Sequence, residues 1–552
     1  MTATETHIDV HDDVTPDWTD EGDALGIVTS NDHKSVGRLW IYASLFFLLG
    51  TAVIGVLNNI ERITLGETTD LYGSIATFFQ FWVLYRTGVV FLVAVPMFIG
   101  IATVIVPLQV GSPSIAFPRL AAAAYWSWLV AAIIHVISFF ADGGLGPENG
   151  TLSESTLLTM VSLGFMIVAI LAASICIATT IVALRPAGMT LLRVPAFSWS
   201  MLVATSVWLF SLPALIANLV FAYADLQGRD PIAFGQRDEI WSKVEWAWSQ
   251  PQIYAYTIPI LGVLAEVVPV MAKRRQTNRP AILVLIGVFG FLSFGAWAQQ
   301  ALSRGSDPVF LEAGVGRFIY EEFLFIVVGL AIGLPMIGIL GGMVDTIRRG
   351  KMPDLNGAFV GAVAGALLLG GAVFVGELRV IPLWDALAND EGVFLSSGTA
   401  QASMIVAALV ASGVGALGFW SVKIFGGFGV DPYAVFATMA LVAGGFTAGL
   451  TDLISAFLGQ PDLSIAAVDN STIETLNVLA TIGIALIALG SFLAVIAVIS
   501  AVRGKENLPD DPWDGHTLEW AAPSPPPVGN FVEPIEVVRS AEPLLDEFEG
   551  VN

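Results

Sequence analysis

Residues 82–106 read Trp-Val-Leu-Tyr-Arg-Thr-Gly-Val-Val-Phe-Leu-Val-Ala-Val-Pro-Met-Phe-Ile-Gly-Ile-Ala-Thr-Val-Ile-Val, a long apolar run in which Arg86 is the one charge. Such a run crosses about 30 Å of hydrocarbon as an α-helix rising about 1.5 Å per residue. Its apolar residues do not alternate with polar ones, which excludes the short, alternating strands of a membrane barrel. Working outward, runs of the same kind fall at 37–59, 120–141, 157–184, 198–223, 247–272, 281–302, 318–344, 357–376, 397–420, 433–457 and 475–502. The fold class that follows is an all-α integral membrane protein, a bundle of twelve transmembrane helices. The chain has 55 glycines, many of them inside these runs with alanine and serine, and small residues let membrane helices approach closely. Pro96, Pro213, Pro259, Pro269 and Pro335 predict kinks within the spans.

Composition agrees. Of 552 residues, 55% are hydrophobic and 13% charged, and the mean hydropathy is +0.76. A soluble chain of this length would divide into several domains, whereas a single bundle absorbs the whole of this one. The lone cysteine, Cys176, lies in an apolar run, so neither a disulfide framework nor a thiolate metal cluster is expected. The first apolar run follows more than thirty polar, acidic residues, and no secretory signal is expected.

The division expected is an acidic tail over 1–35, the twelve-helix region over 36–503, and an acidic, proline-containing tail over 504–552. Net charge is −23, and nine acids fall in residues 1–32 and eleven in 506–552. Such tails serve either as docking surfaces for a basic partner or simply as solvated segments, and neither can bury enough apolar surface to fold alone. With the N-terminus placed inside, fifteen lysines and arginines fall near inner helix ends, including the cluster Lys273-Arg274-Arg275-Gln276-Thr277-Asn278-Arg279. Seven face the other side: Arg62, Arg229, Arg237, Lys243, Arg304, Arg317 and Arg379. The positive-inside rule then makes both termini cytoplasmic, in the inner membrane of a prokaryote.

Several stretches carry a family resemblance. Asp32-His33-Lys34 and Gly37-Arg38-Leu39 stand at the first run. Pro107-Leu108-Gln109-Val110-Gly111 follows the second, leading into Ala116-Phe117-Pro118-Arg119-Leu120. Arg185-Pro186-Ala187-Gly188-Met189-Thr190-Leu191 separates the fourth and fifth. Thr517-Leu518-Glu519-Trp520 and Pro523-Ser524-Pro525-Pro526-Pro527 come near the end. In this order and spacing the chain resembles subunit I of the haem-copper oxidases, of the cytochrome c oxidase type. The resemblance implies twelve helices with both termini inside, two haems and one copper held by six histidines, and subunit II-like and III-like partners in the lipid bilayer, with no nucleic acid. Fold does not carry function with it.

At the positions that the resemblance identifies, the histidines are gone. The family's copper motif, His-Pro-Glu-Val-Tyr, matches Gln250-Pro251-Gln252-Ile253-Tyr254, and its Trp-Ala-His-His matches Trp297-Ala298-Gln299-Gln300. Tyr85 stands where the second helix supplies a haem histidine. The tenth helix's His-x-His matches Thr399-Ala400-Gln401, in a register open by one residue. Proton-path positions read Ser114, Gln252 and Ala331, and no propionate-binding arginine pair stands near Gln460-Pro461-Asp462. The chain holds five histidines in all, His7, His11, His33, His135 and His516. An amide can copy imidazole's reach and hydrogen bonding, but its nitrogen has no free lone pair for a metal.

Gln250, Gln299, Gln300 and Tyr254 are therefore expected to form a hydrogen-bonded polar cluster or, alternatively, a carbonyl-lined site for a hard cation. No haem and no copper are expected. Arg86 is expected to snorkel or to pair with Glu321 or Glu322, and His135 to be an interior hydrogen-bonded residue. The former haem pockets are expected to close by packing, with Trp246, Trp248, Phe294 and Trp297 as fillers. Three functions remain open: a non-catalytic structural or assembly component of a respiratory complex, an active terminal oxidase using unusual ligands, and a transporter reusing the core.

The orientation has a direct test. In a background lacking Cys176, a Gln276→Cys variant should resist a membrane-impermeant maleimide in intact cells and react once the membrane is opened. Labelling in intact cells would reverse the topology.

Overall fold

The computed structural model describes residues 30–63, 71–141, 143–144, 154–226, 244, 253–297, 299, 323–380, 396–429, 431–460, 471–504, 509–533, 535 and 537–549. The apolar runs become helices α1 (His33–Ile63), α2 (Ile75–Gly88, through a π-helical turn Val89–Ala94, to Val95–Gln109), α3 (Pro118–Phe140), α4 (Glu154–Ala183) and α5 (Ala196–Leu226). They continue as α6 (Ile258–Met271), α7 (Arg279–Leu292), α8 (Leu324–Leu330 and Gly333–Arg349), α9 (Gly357–Leu378), α10 (Ser396–Phe419), α11 (Asp431–Phe457) and α12 (Ser471–Arg503). Among the described residues, ten helices are long and apolar enough to cross a membrane, with two shorter apolar ones at Ala255–Met271 and Arg279–Gly295. His33 opens α1 rather than preceding it, which moves the start of the bundle into the expected tail.

Packing follows from small residues. Where α9 crosses α10, a Cβ on Gly361 would lie 2.6 Å from the Gly415 amide nitrogen, so the two backbones meet with no side chain between them. Helix α2 is the most deeply buried span, enclosed by α1, α4 and α5. Buried hydroxyls mostly bond back onto their own helix, as Ser44 does to the Trp40 carbonyl and Thr103 to the Ile99 carbonyl, both at 2.7 Å. That is how a hydroxyl satisfies itself in hydrocarbon without a partner helix.

Two arginines that the sequence assigns to outer loops lie inside the bundle. Arg62 ends α1 buried, with Nη1 2.9 Å from a carboxylate oxygen of buried Asp452 in α11. Arg379, just past α9, is also buried. A charge inside a membrane protein is costly unless paired, and the Arg62–Asp452 pair couples two helices distant in sequence.

The described part of the C-terminal tail does not fold alone. It lies across the end of the bundle that carries the 273–279 loop. Lys273 pairs with Asp514 and Arg275 with Asp546. Lys34 donates to Asn530 Oδ1 at 3.4 Å, and Asn530 Nδ2 donates to the Ser112 carbonyl at 2.7 Å. Leu518, Glu519 and Trp520 are buried in a 3-10 turn. Lys423 donates to the Ala522 carbonyl and lies 5.4 Å from the Trp520 ring centre. Thus the stretches that carried the resemblance, 107–120 and 517–527, meet physically: Gln109 Nε2 donates to Glu519 Oε1 at 2.9 Å, and Trp420 Nε1 donates to the same oxygen at 3.2 Å.

Burial, with the Glu266 carboxylate as a like charge nearby, pushes the Glu519 carboxyl up to about 7. A raised acid favours the docked form below its ordinary pKa, and this advantage is lost as pH rises through about 7. Lys423, held down to about 8 by burial, stays charged at pH 5–7 in both docked and free forms and adds little slope there. Protease cleavage within 509–549 should therefore quicken as pH rises from about 5 to about 7, and Glu519→Gln should flatten the profile. A wild-type profile flat over that range would contradict the assignment.

Candidate functional site

Tyr254, at the turn that leads into α6, lies fully buried where α6 to α10 converge. Its hydroxyl donates to Gln299 Oε1 at 2.8 Å, and Gln299 Nε2 donates onward to the Gly329 carbonyl at 2.9 Å. The same hydroxyl accepts from Gln401 Nε2 at 2.5 Å, and that nitrogen also donates to the Ala372 carbonyl at 3.3 Å. Arg379 Nη1 donates to Gln401 Oε1 at 3.4 Å. The bonds run one way: Arg379 to Gln401 to Tyr254 to Gln299 to the Gly329 carbonyl. Tyr254 gives one bond and takes one, and each amide is used at both ends. A satisfied chain of this kind fixes its members, whereas a half-satisfied one would be costly in so dry a place.

The backbone makes room for it. Gly376 on α9 is the floor: a Cβ there would overlap Gln299 Oε1, the Tyr254 hydroxyl and Gln401 Nε2. Next along α9, Glu377 accepts a hydrogen bond from the Gly333 N–H. Helix α8 is broken between Leu330 and Gly333, so this carboxylate meets the exposed amides and positive dipole end of its second half. Ala331, where the resemblance would put a proton-carrying lysine, lies in that break.

Gln299 and Tyr254 are thus brought together as expected, while Gln250 and Gln300 lie outside the described residues. Gln401, matched from sequence to a haem ligand position, also joins the tyrosine cluster. Thr399 lies in the wall of a separate cavity of about 90 Å³ together with Tyr85, Trp82, Arg86, Tyr256 and Ser403. Tyr254 itself is fully buried, whereas a cavity remains beside Tyr85, and a void of that size costs about 2 kcal/mol. Of the expected fillers, Phe294 faces outward, 36% exposed, and Trp246, Trp248 and the side chain of Trp297 lie outside the described residues. Arg86 lies 5.0 Å from the Trp82 ring centre; Glu321 and Glu322 lie outside the described residues. His135 is interior, 3.3 Å from Thr87 Oγ1 and 3.2 Å from Ser162 Oγ.

Haem and copper do not fit this donor set. Among the described residues the cluster offers amides and a phenol, already engaged with one another, and no imidazole. His33 and His135 are committed to Asp32 and to Thr87 and Ser162. A hard cation fits no better, because Arg379 places a positive charge on the same chain. Arg379, Gly376 and the Arg62–Asp452 pair are functional or structural features that the sequence does not mark directly. The signal for the last was a lone aspartate in the apolar run of α11, which needs a buried partner.

Residues 35–486 match the family model described as cytochrome C and quinol oxidase polypeptide I. Among curated proteins, the chain is 27% identical over 545 residues to cytochrome c oxidase subunit 1 of Bacillus subtilis (strain 168), covering 94% of this chain and 82% of that one. It is 26% identical to the putative cytochrome c oxidase subunit 1-beta of Streptomyces coelicolor, covering 94% and 89%, and 26% identical to cytochrome c oxidase subunit 1 of Bacillus sp. (strain PS3), covering 95% and 84%.

Because Gly376 abuts all three polar side chains, Gly376→Ala should displace them and destabilise the purified protein by about 1–3 kcal/mol. Tyr254→Phe removes one donor and one acceptor, leaving Gln299 Oε1 and Gln401 Nε2 short of partners at a cost of similar size. Thermal unfolding in one detergent measures both. Wild-type stability in both variants would mean that the chain of bonds is incidental.

Proposed function

The chain belongs to the cytochrome c and quinol oxidase polypeptide I family, and we propose that within it this protein is a non-catalytic member, a structural or assembly component beside a respiratory-chain complex. One observation carries this reading: where the resemblance puts imidazoles, Gln299 and Gln401 close a hydrogen-bonded chain through Tyr254. Gln250, Gln299 and Gln300 then stand at lost copper positions, and Tyr85 at a lost haem position. On the tenth helix Gln401 faces the tyrosine cluster while Thr399 and Ser403 both line the Tyr85 cavity, and Thr399 and Gln401 are read as that helix's lost haem positions.

The ten long helices and the bacterial relatives make this an integral protein of a prokaryotic plasma membrane. Our reading adds that α6 and α7 complete twelve crossings and that both termini are cytoplasmic, since the basic 273–279 loop and the C-terminal segment share one end. What that end retains, 107–120 against 517–527, is a surface built away from the Tyr254 cluster. It suits contacts with II-like and III-like subunits as well as folding itself. The rival reading, an active terminal oxidase, draws on the names of the relatives. It requires metal ligands that neither the five histidines nor the cluster supplies, and Ser114, Gln252 and Ala331 could not relay protons in their places.

The purified protein should show no Soret band and contain no copper by elemental analysis, and it should co-purify with other membrane subunits in mild detergent. Near-stoichiometric haem or copper would restore the oxidase reading. Recovery of a lone monomer, identified by mass spectrometry of the pull-down, would remove the structural-partner role.

A further inference from the structure

The Tyr85 cavity is the outermost of three adjoining spaces on one side of α2. It shares Tyr85, Val89, Val406, Leu409 and Ile484 with a second cavity, and the second shares Leu48, Met97 and Val410 with a third. Along α1 the walls run from Arg62 to Leu45, about 25 Å of helix at about 1.5 Å per residue. That is most of the depth of a bilayer's hydrocarbon core. The walls are mostly apolar, with Thr51 and Ser491 at the middle and Ser421 and Asp431 at the inner end, and polar side chains gather at the outer end, where Arg62, Asn58, Asn59 and Arg86 stand.

Three observations suggest an occupant. The middle cavity, about 20 Å³, has room for a single file of small groups and not for a flat ring, since one water-sized sphere needs about 10–15 Å³. The π-helical turn Val89–Ala94, a device found mostly at functional sites, faces this waist through Val89, Val93 and Ala94. At the outer end, the buried Arg62 Nη2 has no hydrogen-bond partner among the described residues. Its other terminal nitrogen already pairs with Asp452, so the outer chamber presents a donor rather than a free charge.

We propose that these cavities form a lipid slot: a single long apolar chain of a membrane lipid threads between α1, α2, α10 and α12, and oxygens of its head accept hydrogen bonds from Arg62 and neighbouring donors. The lipid is a structural filler of the bundle. The head needs acceptor oxygens, as ester or phosphate groups provide, because Asp452 already balances the Arg62 charge. The slot lies beside the non-catalytic core proposed above and rests on that reading, since a haem would compete for the outer chamber.

The test uses full-length protein, exchanged repeatedly into lipid-free detergent, then examined by native mass spectrometry and by organic extraction with lipid analysis. One lipid per chain should survive the exchange. Ala488→Phe and Val93→Phe, which plug the waist, should each lose it at least tenfold. A wild-type protein free of lipid, or variants that hold as much as wild type, would overturn the slot while leaving the non-catalytic reading intact. Haem in the extract would overturn both. If the plugged variants do not fold, chain-brominated phospholipid should quench wild-type fluorescence more than that of Trp82→Phe, whose ring lines the outer chamber. Equal quenching would refute the slot.

Discussion

In hydrocarbon no water is present to complete a hydrogen bond, so every buried polar group in this chain must find its partner within the protein, at a cost of several kcal/mol if it does not. The crossings are helices for that reason, and buried serines and threonines turn back onto their own carbonyls. The same constraint governs the longer side chains, which cannot reach their own helix and must be met by another. Arg62 is met by Asp452, Gln109 by Glu519 and Ser198, and Gln401 by Tyr254 and Arg379. Each of these contacts joins elements far apart in sequence, and together they hold the bundle in register.

Small residues make such contacts possible. Gly361 and Gly415 bring α9 against α10, and this approach carries Gly376 and Gln401 to Tyr254. A bulkier crossing would hold the two helices further apart, and the Gln401–Tyr254 bond would not form. Close backbone packing and polar satisfaction are therefore one design here: the glycines set the distance and the amides fill it. The region around Tyr85 is built differently. Its walls are aromatic and aliphatic with Asn58, Asn59, Arg62 and Arg86 among them, and a cavity remains.

The end of the bundle that binds the C-terminal segment adds a further layer. Gln109 is shared, its nitrogen donating to Glu519 while its oxygen accepts from both the amide and the hydroxyl of Ser198. Glu266 likewise accepts from the Phe197 N–H and the Thr517 hydroxyl. Two carboxylates buried near each other cannot both carry charge cheaply, which explains why burial lifts Glu519 toward neutrality and why the docking of this acidic segment is sensitive to protons.

By itself the sequence determined the class of fold, because twenty-residue apolar runs admit few structures in a bilayer. It also settled the family, through short stretches retained in order along the chain, and the shortage of imidazole, which needs only a count. Local patterns carried that information. Which amide meets which could not be read there. In the sequence Arg62 and Arg379 fall in outer loops and nothing ties Gln401 to Tyr254; the tertiary structure buries both arginines and bonds Gln401 to that tyrosine, 147 residues away. Such pairings depend on where helices cross and rotate, which is fixed by the packing of whole faces and by no residue's immediate neighbours.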